Sequence, residues 1–109
     1  MAKDNARPLV RITNQFRRGQ VMVYDLSCEE VRLTIEVTPR ESGDGLGEWS
    51  AEAHARQAPE KPTVSELGAT RSDALQALAR SWSAKQGTYG FPALDWEAVT
   101  QALLAVRAI

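Results

Sequence analysis

The stretch that decides the fold is VRLTIEVT, residues 31–38, in which apolar and polar side chains alternate without a break. A period of two is typical of a strand that has one face on a hydrophobic core and the other face in water. The apolar face consists of Val31, Leu33, Ile35 and Val37, and the polar face consists of Arg32, Thr34, Glu36 and Thr38. We therefore predict a half-buried strand over residues 31–38.

A second alternating run covers residues 48–56 and follows PRESGDGLG, a segment rich in turn-forming residues. The two runs predict an antiparallel hairpin whose connection, residues 39–48, is a mobile loop. The inward positions of the second run are Trp49, Ala51, Ala53 and Ala55. Because alanine is small, these positions leave room for a helix packed closely against the sheet.

Two weaker strand candidates, residues 9–15 and 20–26, precede this hairpin and complete a three- or four-stranded antiparallel sheet. Downstream, residues 58–68 contain two prolines and predict a connector with a short edge strand around 63–65. A chain of 109 residues has the size of one domain. We predict a single domain over residues 1–109, with residues 1–7 as a flexible tail.

Two helices are predicted at the carboxy-terminal end, packed on one face of the sheet. Thr70 followed by Asp73 is a helix-start signal for residues 71–86, and Gly87 is the expected stop. Asp95 is the expected cap of the last helix. Its apolar stripe consists of Trp96, Val99, Leu103 and Val106. The predicted fold class is therefore α+β.

Composition and charge exclude several functions. The formal net charge of −1 gives no global argument for nucleic acid or a membrane as partner. Cys28 is the only cysteine, so an intrachain disulfide is impossible and a reducing compartment is expected. The amino terminus lacks the apolar stretch of a secretory signal, and no run of residues is apolar enough to span a bilayer. The expected location is the cytoplasm.

The connection between the two predicted helices is rich in aromatic residues. These are Trp82, Tyr89, Phe91 and Trp96, and Leu104 lies nearby, off the apolar stripe of the last helix. Such a cluster forms either a ligand pocket or protein interface, or the hydrophobic seam that joins helices to sheet. We expect a non-catalytic protein-interaction or regulatory module that binds a protein partner or pairs as a homodimer.

An alternative function is nucleic-acid binding. Residues 1–19 carry five basic residues against one acidic residue, and an aromatic residue lies among the arginines. The candidate binding residues are Arg7, Arg11, Phe16, Arg17 and Arg18. An exposed aromatic ring between arginines stacks on a base in many single-strand binding proteins. The acidic remainder of the chain makes this alternative the less favoured one.

Catalysis is a second alternative, and it depends on the single histidine. His54 is flanked by Glu52 and Arg56, so a carboxylate is at hand to orient a general base. Cys28 is a nucleophile only if the fold brings His54 to it, and the acidic turn that follows Cys28 blunts its reactivity. Metal-ligand spacing is absent, and the glycine-rich segment 43–47 lacks the Lys-Ser/Thr ending of a phosphate-binding loop. We therefore expect no enzyme and no cofactor.

Residues 49–82 resemble the strand, connector and helix portion of HicB-type antitoxin domains, in which the helix also begins after a turn with threonine and an acidic-alanine pair. The matching residues here are GATRSDALQALA, residues 68–79. The resemblance covers about a third of the chain and carries no functional residue over. The last segment, LDWEAVTQALLAVRAI, is unlike the DNA-binding module that such antitoxins often contain.

Overall fold

The computed structural model describes residues 9–41, 47–58 and 60–106 of the chain. Over these ranges the elements are β1 (Val10–Arg18), β2 (Val21–Cys28), β3 (Val31–Glu41), β4 (Gly47–Ala55), β5 (Val64–Gly68), α1 (Arg71–Tyr89) and α2 (Trp96–Ala105). The predicted α+β class is confirmed. The predicted tail, residues 1–7, lies outside the described residues.

The five strands form one antiparallel sheet in the order β1-β2-β3-β4-β5. Each strand pairs with the next one along the chain, so the sheet is a meander. The turn between β1 and β2 contains Gly19, whose φ of 64° is a left-handed conformation that glycine adopts without a Cβ clash.

The predicted strand number, three or four, was too low. The fifth strand is β5, which overlaps the short edge strand expected around 63–65 in the connector but extends to Gly68. With five residues, β5 is too short to show a clear alternation, and it is held in the sheet by its pairing with Ser50 and the other residues of β4. The predicted loop over 39–48 was too long, since Arg40 pairs with Glu48 and Glu41 with Gly47. Residues 42–46 lie outside the described residues.

The core lies between one face of the sheet and the two helices. The alternation in VRLTIEVT predicted this face correctly, because Leu33, Ile35 and Val37 are buried. The helices contribute Leu75, Leu78, Trp82, Val99 and Leu103 to the same hydrophobic cluster. α1 contacts β4 and β5, whereas α2 contacts α1 and β1. The alanines of β4 are buried, as expected for a strand under a close helix.

The helix starts match the predictions, but one helix end does not. The Thr70 hydroxyl accepts a hydrogen bond from the Asp73 amide at 3.0 Å, and an Asp95 carboxylate oxygen accepts one from the Ala98 amide at 3.1 Å. Gly87 does not stop α1. The helix continues to Tyr89 and ends at Gly90, whose φ of 67° allows the left-handed cap. Among the described residues, no helix is long and apolar enough to cross a membrane.

Candidate functional site

The four aromatic residues around the helix connection come together as predicted. The Trp82 and Phe91 rings stack with centroids 4.3 Å apart, and Tyr89 stacks on Phe91 at 5.6 Å. Trp82 and Phe91 are buried, while Tyr89 is exposed. Much of this cluster therefore joins the helices to the sheet, and Tyr89 forms its open edge.

A groove of about 450 Å³ runs between the outer surfaces of the two helices. Its floor includes Ala79 of α1 and Trp96 and Leu104 of α2. Trp96 is 6% exposed, and its indole Nε1 has no hydrogen-bond partner among the described residues. Two of the sequence-predicted partner-binding residues, Trp96 and Leu104, thus line one concave surface.

The walls of this groove, which we call the α1–α2 groove, carry charges of opposite sign. Arg80 lies on the α1 wall and Glu97 on the α2 wall, while Gln76 and Thr100 add neutral polar groups. An apolar floor with a polar rim has the composition of a protein-binding surface.

The predicted nucleic-acid residues do not share one face. Arg11, Phe16 and Arg18 lie on the sheet face opposite the helices, whereas Arg17 pairs with Met22 and lies on the helix side. Phe16, Arg17 and Arg18 are consecutive in β1 and therefore alternate between the two faces. The β-bulge between Ile12 and Asn14 shifts the alternation by one residue and so places Arg11 on the face of Arg18 and not on that of Arg17. Arg7 lies outside the described residues.

The residues left on the open face are partly engaged with their neighbours. The Arg18 guanidinium contacts the Glu36 carboxylate at 3.2 Å. Phe16 is 39% exposed and pairs with Val23, which is buried on the open face, 2% exposed. Phe16 therefore lies beside a buried residue on this face and is only in part exposed to solvent.

Structure also separates the two groups of the catalytic alternative. His54 lies on the open sheet face opposite Thr34, in a shallow depression of about 380 Å³ that Glu36 and Glu52 also line. Cys28 is buried on the helix side of the sheet. Burial and the charge of Glu29 raise the pKa of the Cys28 thiol. No pair of Cys28 with His54 is formed, and the described residues hold no cluster of three potential metal ligands.

A further cleft, which sequence reasoning missed, lies at the start of α1. Its volume is about 390 Å³. The cleft is lined by Arg17, Gln20, Met22, Pro39, Trp49 and Arg71. These residues come from β1, the first turn, β2, β3, β4 and α1, so no local motif identifies them. Half-buried Trp49 at the end of an otherwise alanine-lined face was the one available signal.

Comparison with known proteins found no match to this chain among family models, curated proteins or solved structures. The candidate sites therefore rest on the geometry of this chain alone.

Proposed function

We propose that the protein is a non-catalytic interaction module that pairs with a second copy of itself through the α1–α2 groove. The observation that carries the proposal is the groove itself, whose floor includes Trp96, Leu104 and the small side chain of Ala79. This apolar floor with its polar rim has the composition of a protein-binding surface. Trp96 already packs against Trp82 within the single chain, and Leu104 is the half-buried apolar residue that a partner would cover.

The shape of the groove supports a helical occupant. The residues that α1 contributes recur at helical spacing, Gln76, Ala79 and Arg80, so its wall runs along the helix axis. Ala79 has a small side chain, which allows a partner surface to approach the floor closely. Tryptophan and arginine are the residue types that most often dominate the binding energy of protein interfaces.

Charge complementarity favours a second copy as the occupant. In a twofold dimer each copy presents the same patch, and when the axis runs along the groove, each wall meets the other wall of the partner. Arg80 and Glu97 lie on opposite walls of the groove. A twofold axis along the groove would therefore place Arg80 of each copy near Glu97 of the other copy, in two equivalent contacts, whereas an axis across it would bring like charges together.

The first test is the solution mass of the protein, measured by light scattering over a concentration series. We expect a dimer that dissociates on dilution, and we expect Leu104→Glu to shift it to monomer because the charge would be buried in the interface. The matched control is Leu67→Glu, since Leu67 is 49% exposed and lies on the opposite sheet face. A wild-type monomer at roughly 1 mM, where a contact worth about 4 kcal/mol would still be visible, overturns the proposal.

A charge-exchange experiment then tests the predicted register. Arg80→Glu and Glu97→Arg should each weaken dimerisation, because each brings like charges together twice. An equimolar mixture of the two variants should dimerise, since every contact between the two different chains is then of opposite charge. Any contact that Glu97 makes within its own chain is lost equally in Glu97→Arg alone and in the mixture. Recovery of dimerisation in the mixture therefore reports only the contacts between chains. If the mixture associates no better than either variant, the twofold arrangement is wrong.

A further inference from the structure

We propose that the cleft at the start of α1 binds a small organic anion, in which a carboxylate or phosphate group is attached to a flat ring. The cleft lies away from the α1–α2 groove, and the proposal does not depend on dimerisation. We call it the Arg17–Arg71 cleft.

The anionic half of the ligand is inferred from two guanidinium groups. Arg17 comes from β1 and Arg71 from the first residue of α1, and both line the cleft. Neither makes an ion pair with any described residue, and no carboxylate of the described residues lines the cleft. Arg18, next in the chain, does contact a carboxylate, that of Glu36. The cleft thus concentrates positive charge, and guanidinium groups bind carboxylates and phosphates through paired hydrogen bonds.

The start of the helix adds to this positive field. The backbone N–H groups of the first turn of a helix carry a partial positive charge that favours anions. Arg71 begins α1, so its side chain and this helix end lie on the same side of the cleft. The Thr70 hydroxyl already accepts a hydrogen bond from the Asp73 amide, so the two arginines and not this helix end supply the main attraction for an anion.

The flat ring is inferred from the apolar surface of the cleft. Trp49 is half-buried and lies directly opposite Pro39 on the neighbouring strand, and Met22 is buried beside them. An indole ring and a proline offer flat surfaces on which an aromatic ring packs. The volume, about 390 Å³, lies at the lower end of the range for small-molecule sites. A ligand with a single ring and a single anionic group fits this space.

The test uses phenyl phosphate and benzoate as probes, with inorganic phosphate and phenol as fragments. Binding is measured by calorimetry and by tryptophan fluorescence, since Trp82 and Trp96 are buried and Trp49 is accessible. We expect at least one of the two ring anions to bind more tightly than either fragment. The comparison of phenyl phosphate with benzoate decides whether the anionic group is a phosphate or a carboxylate. No saturable binding of either ring anion at roughly 10 mM overturns the proposal.

Two neighbouring arginines provide the matched variants. Arg17→Gln and Arg71→Gln should each weaken binding about tenfold, because each removes one charge-assisted hydrogen bond. Arg18→Gln should leave it unchanged, since Arg18 lies on the opposite sheet face. If Arg17→Gln and Arg18→Gln weaken binding equally, the attraction is a general electrostatic one, and the proposal that the cleft is the binding site is overturned. Circular dichroism of each variant confirms that the fold is kept.

An independent readout needs no ligand of the proposed kind. Iodide should quench the fluorescence of Trp49 more efficiently than caesium does, because the two arginines attract anions. Arg17→Gln should reduce the difference between the two quenchers, and Arg18→Gln should not. A single-stranded oligonucleotide serves as a further arm. If it binds with equal dependence on Arg11, Arg17 and Arg18, the anion contacts extend over both faces and the small-molecule proposal fails.

Discussion

Trp82 and Trp96 pack edge to face with ring centroids 5.8 Å apart, but they differ in their indole N–H groups. The Nε1 of Trp82 donates to the Pro92 carbonyl at 3.1 Å, whereas the Nε1 of Trp96 has no partner among the described residues. The first bond ties α1 to the segment that leads into α2. The two tryptophans of this cluster thus have different roles, and replacing each of them with phenylalanine distinguishes those roles.

Trp82→Phe should destabilise the protein more than Trp96→Phe does. Both changes remove a similar ring volume, but the first also leaves the Pro92 carbonyl without its donor, and the second removes an unsatisfied N–H. We expect the free energies of unfolding to differ by about 1–3 kcal/mol. Urea denaturation below the concentration at which dimers form measures this difference. Equal losses would mean that the Trp82 hydrogen bond contributes little.

Gly68→Ala and Gly87→Ala should have opposite effects on stability. A Cβ at Gly68 would lie 2.3 Å from the Ala74 backbone nitrogen, so β5 and α1 would have to move apart. Overpacking of this kind costs typically about 1–3 kcal/mol. Gly87 lies inside α1, and apart from its own helix no described residue has an atom within 4 Å of such a Cβ. Alanine there should stabilise the helix by about 0.5–1 kcal/mol. Thermal unfolding of the two variants checks both signs, and a neutral Gly68→Ala would contradict the close helix–strand contact.

Glu52→Arg and Glu48→Arg should also differ in sign. Glu52 lies directly opposite Glu36 on β3, whereas Glu48 lies directly opposite Arg40. Opposite charges across a strand pair stabilise by about 0.2–1 kcal/mol, and like charges destabilise by similar amounts. The first variant should therefore be more stable than wild type and the second less stable. The Arg18 contact with Glu36 already offsets part of the repulsion, so the gain from Glu52→Arg should lie at the lower end.

Salt provides the control for this pair of variants. At about 1 M NaCl the Debye length falls to about 3 Å, and the two variants should converge in their free energies of unfolding. A difference that persists in high salt would come from packing or from strand propensity, and not from charge.

Cys28 should make stability fall with rising pH above its ordinary pKa. Burial, followed by the charge of Glu29, raises the pKa of this thiol in the folded protein above the usual 9.0. Well below pH 9.0 the thiol is protonated in both states, and the pKa difference has no effect on the free energy of unfolding. At higher pH the unfolded chain ionises first, which favours unfolding. Cys28→Ala should show a shallower decline from about pH 8 to about pH 10 in denaturation experiments. Parallel curves for the two proteins would rule out a contribution from the thiol.

Several elements were predictable because their signals are local. The alternation over 31–38 depends on side chains two residues apart. At each helix start, the Thr70 or Asp95 side chain accepts a hydrogen bond from an amide only three residues further along the chain. The prediction that α1 ends at Gly87 was wrong because it, too, depended on a local signal, the presence of a glycine. Glycine occurs inside helices as well as at their ends, and the deciding feature was the left-handed φ of Gly90.

The candidate sites were less predictable, since each combines residues from distant parts of the chain. The sequence placed Trp96 and Leu104 on the last helix, but the groove also needs Ala79 and Arg80 from α1. The Arg17–Arg71 cleft joins residues that are far apart in sequence. No periodic pattern in the sequence marks either site, because the residues of each site are brought together by helix packing and by the register of the sheet.

The sequence by itself determined the approximate positions of most strands and of both helices, which face of the central hairpin is buried, and that the chain is an α+β domain. Local periodicity and capping carry that information. Only the tertiary structure decided that β5 extends to Gly68 as a fifth strand, that Trp96 is buried without a hydrogen-bond partner among the described residues, and that Arg17 and not Arg18 lies on the helix side. The physical reason is that these outcomes depend on long-range pairing. One bulge between Ile12 and Asn14 reverses the faces of all later residues of β1, and nothing in the neighbouring sequence marks that shift.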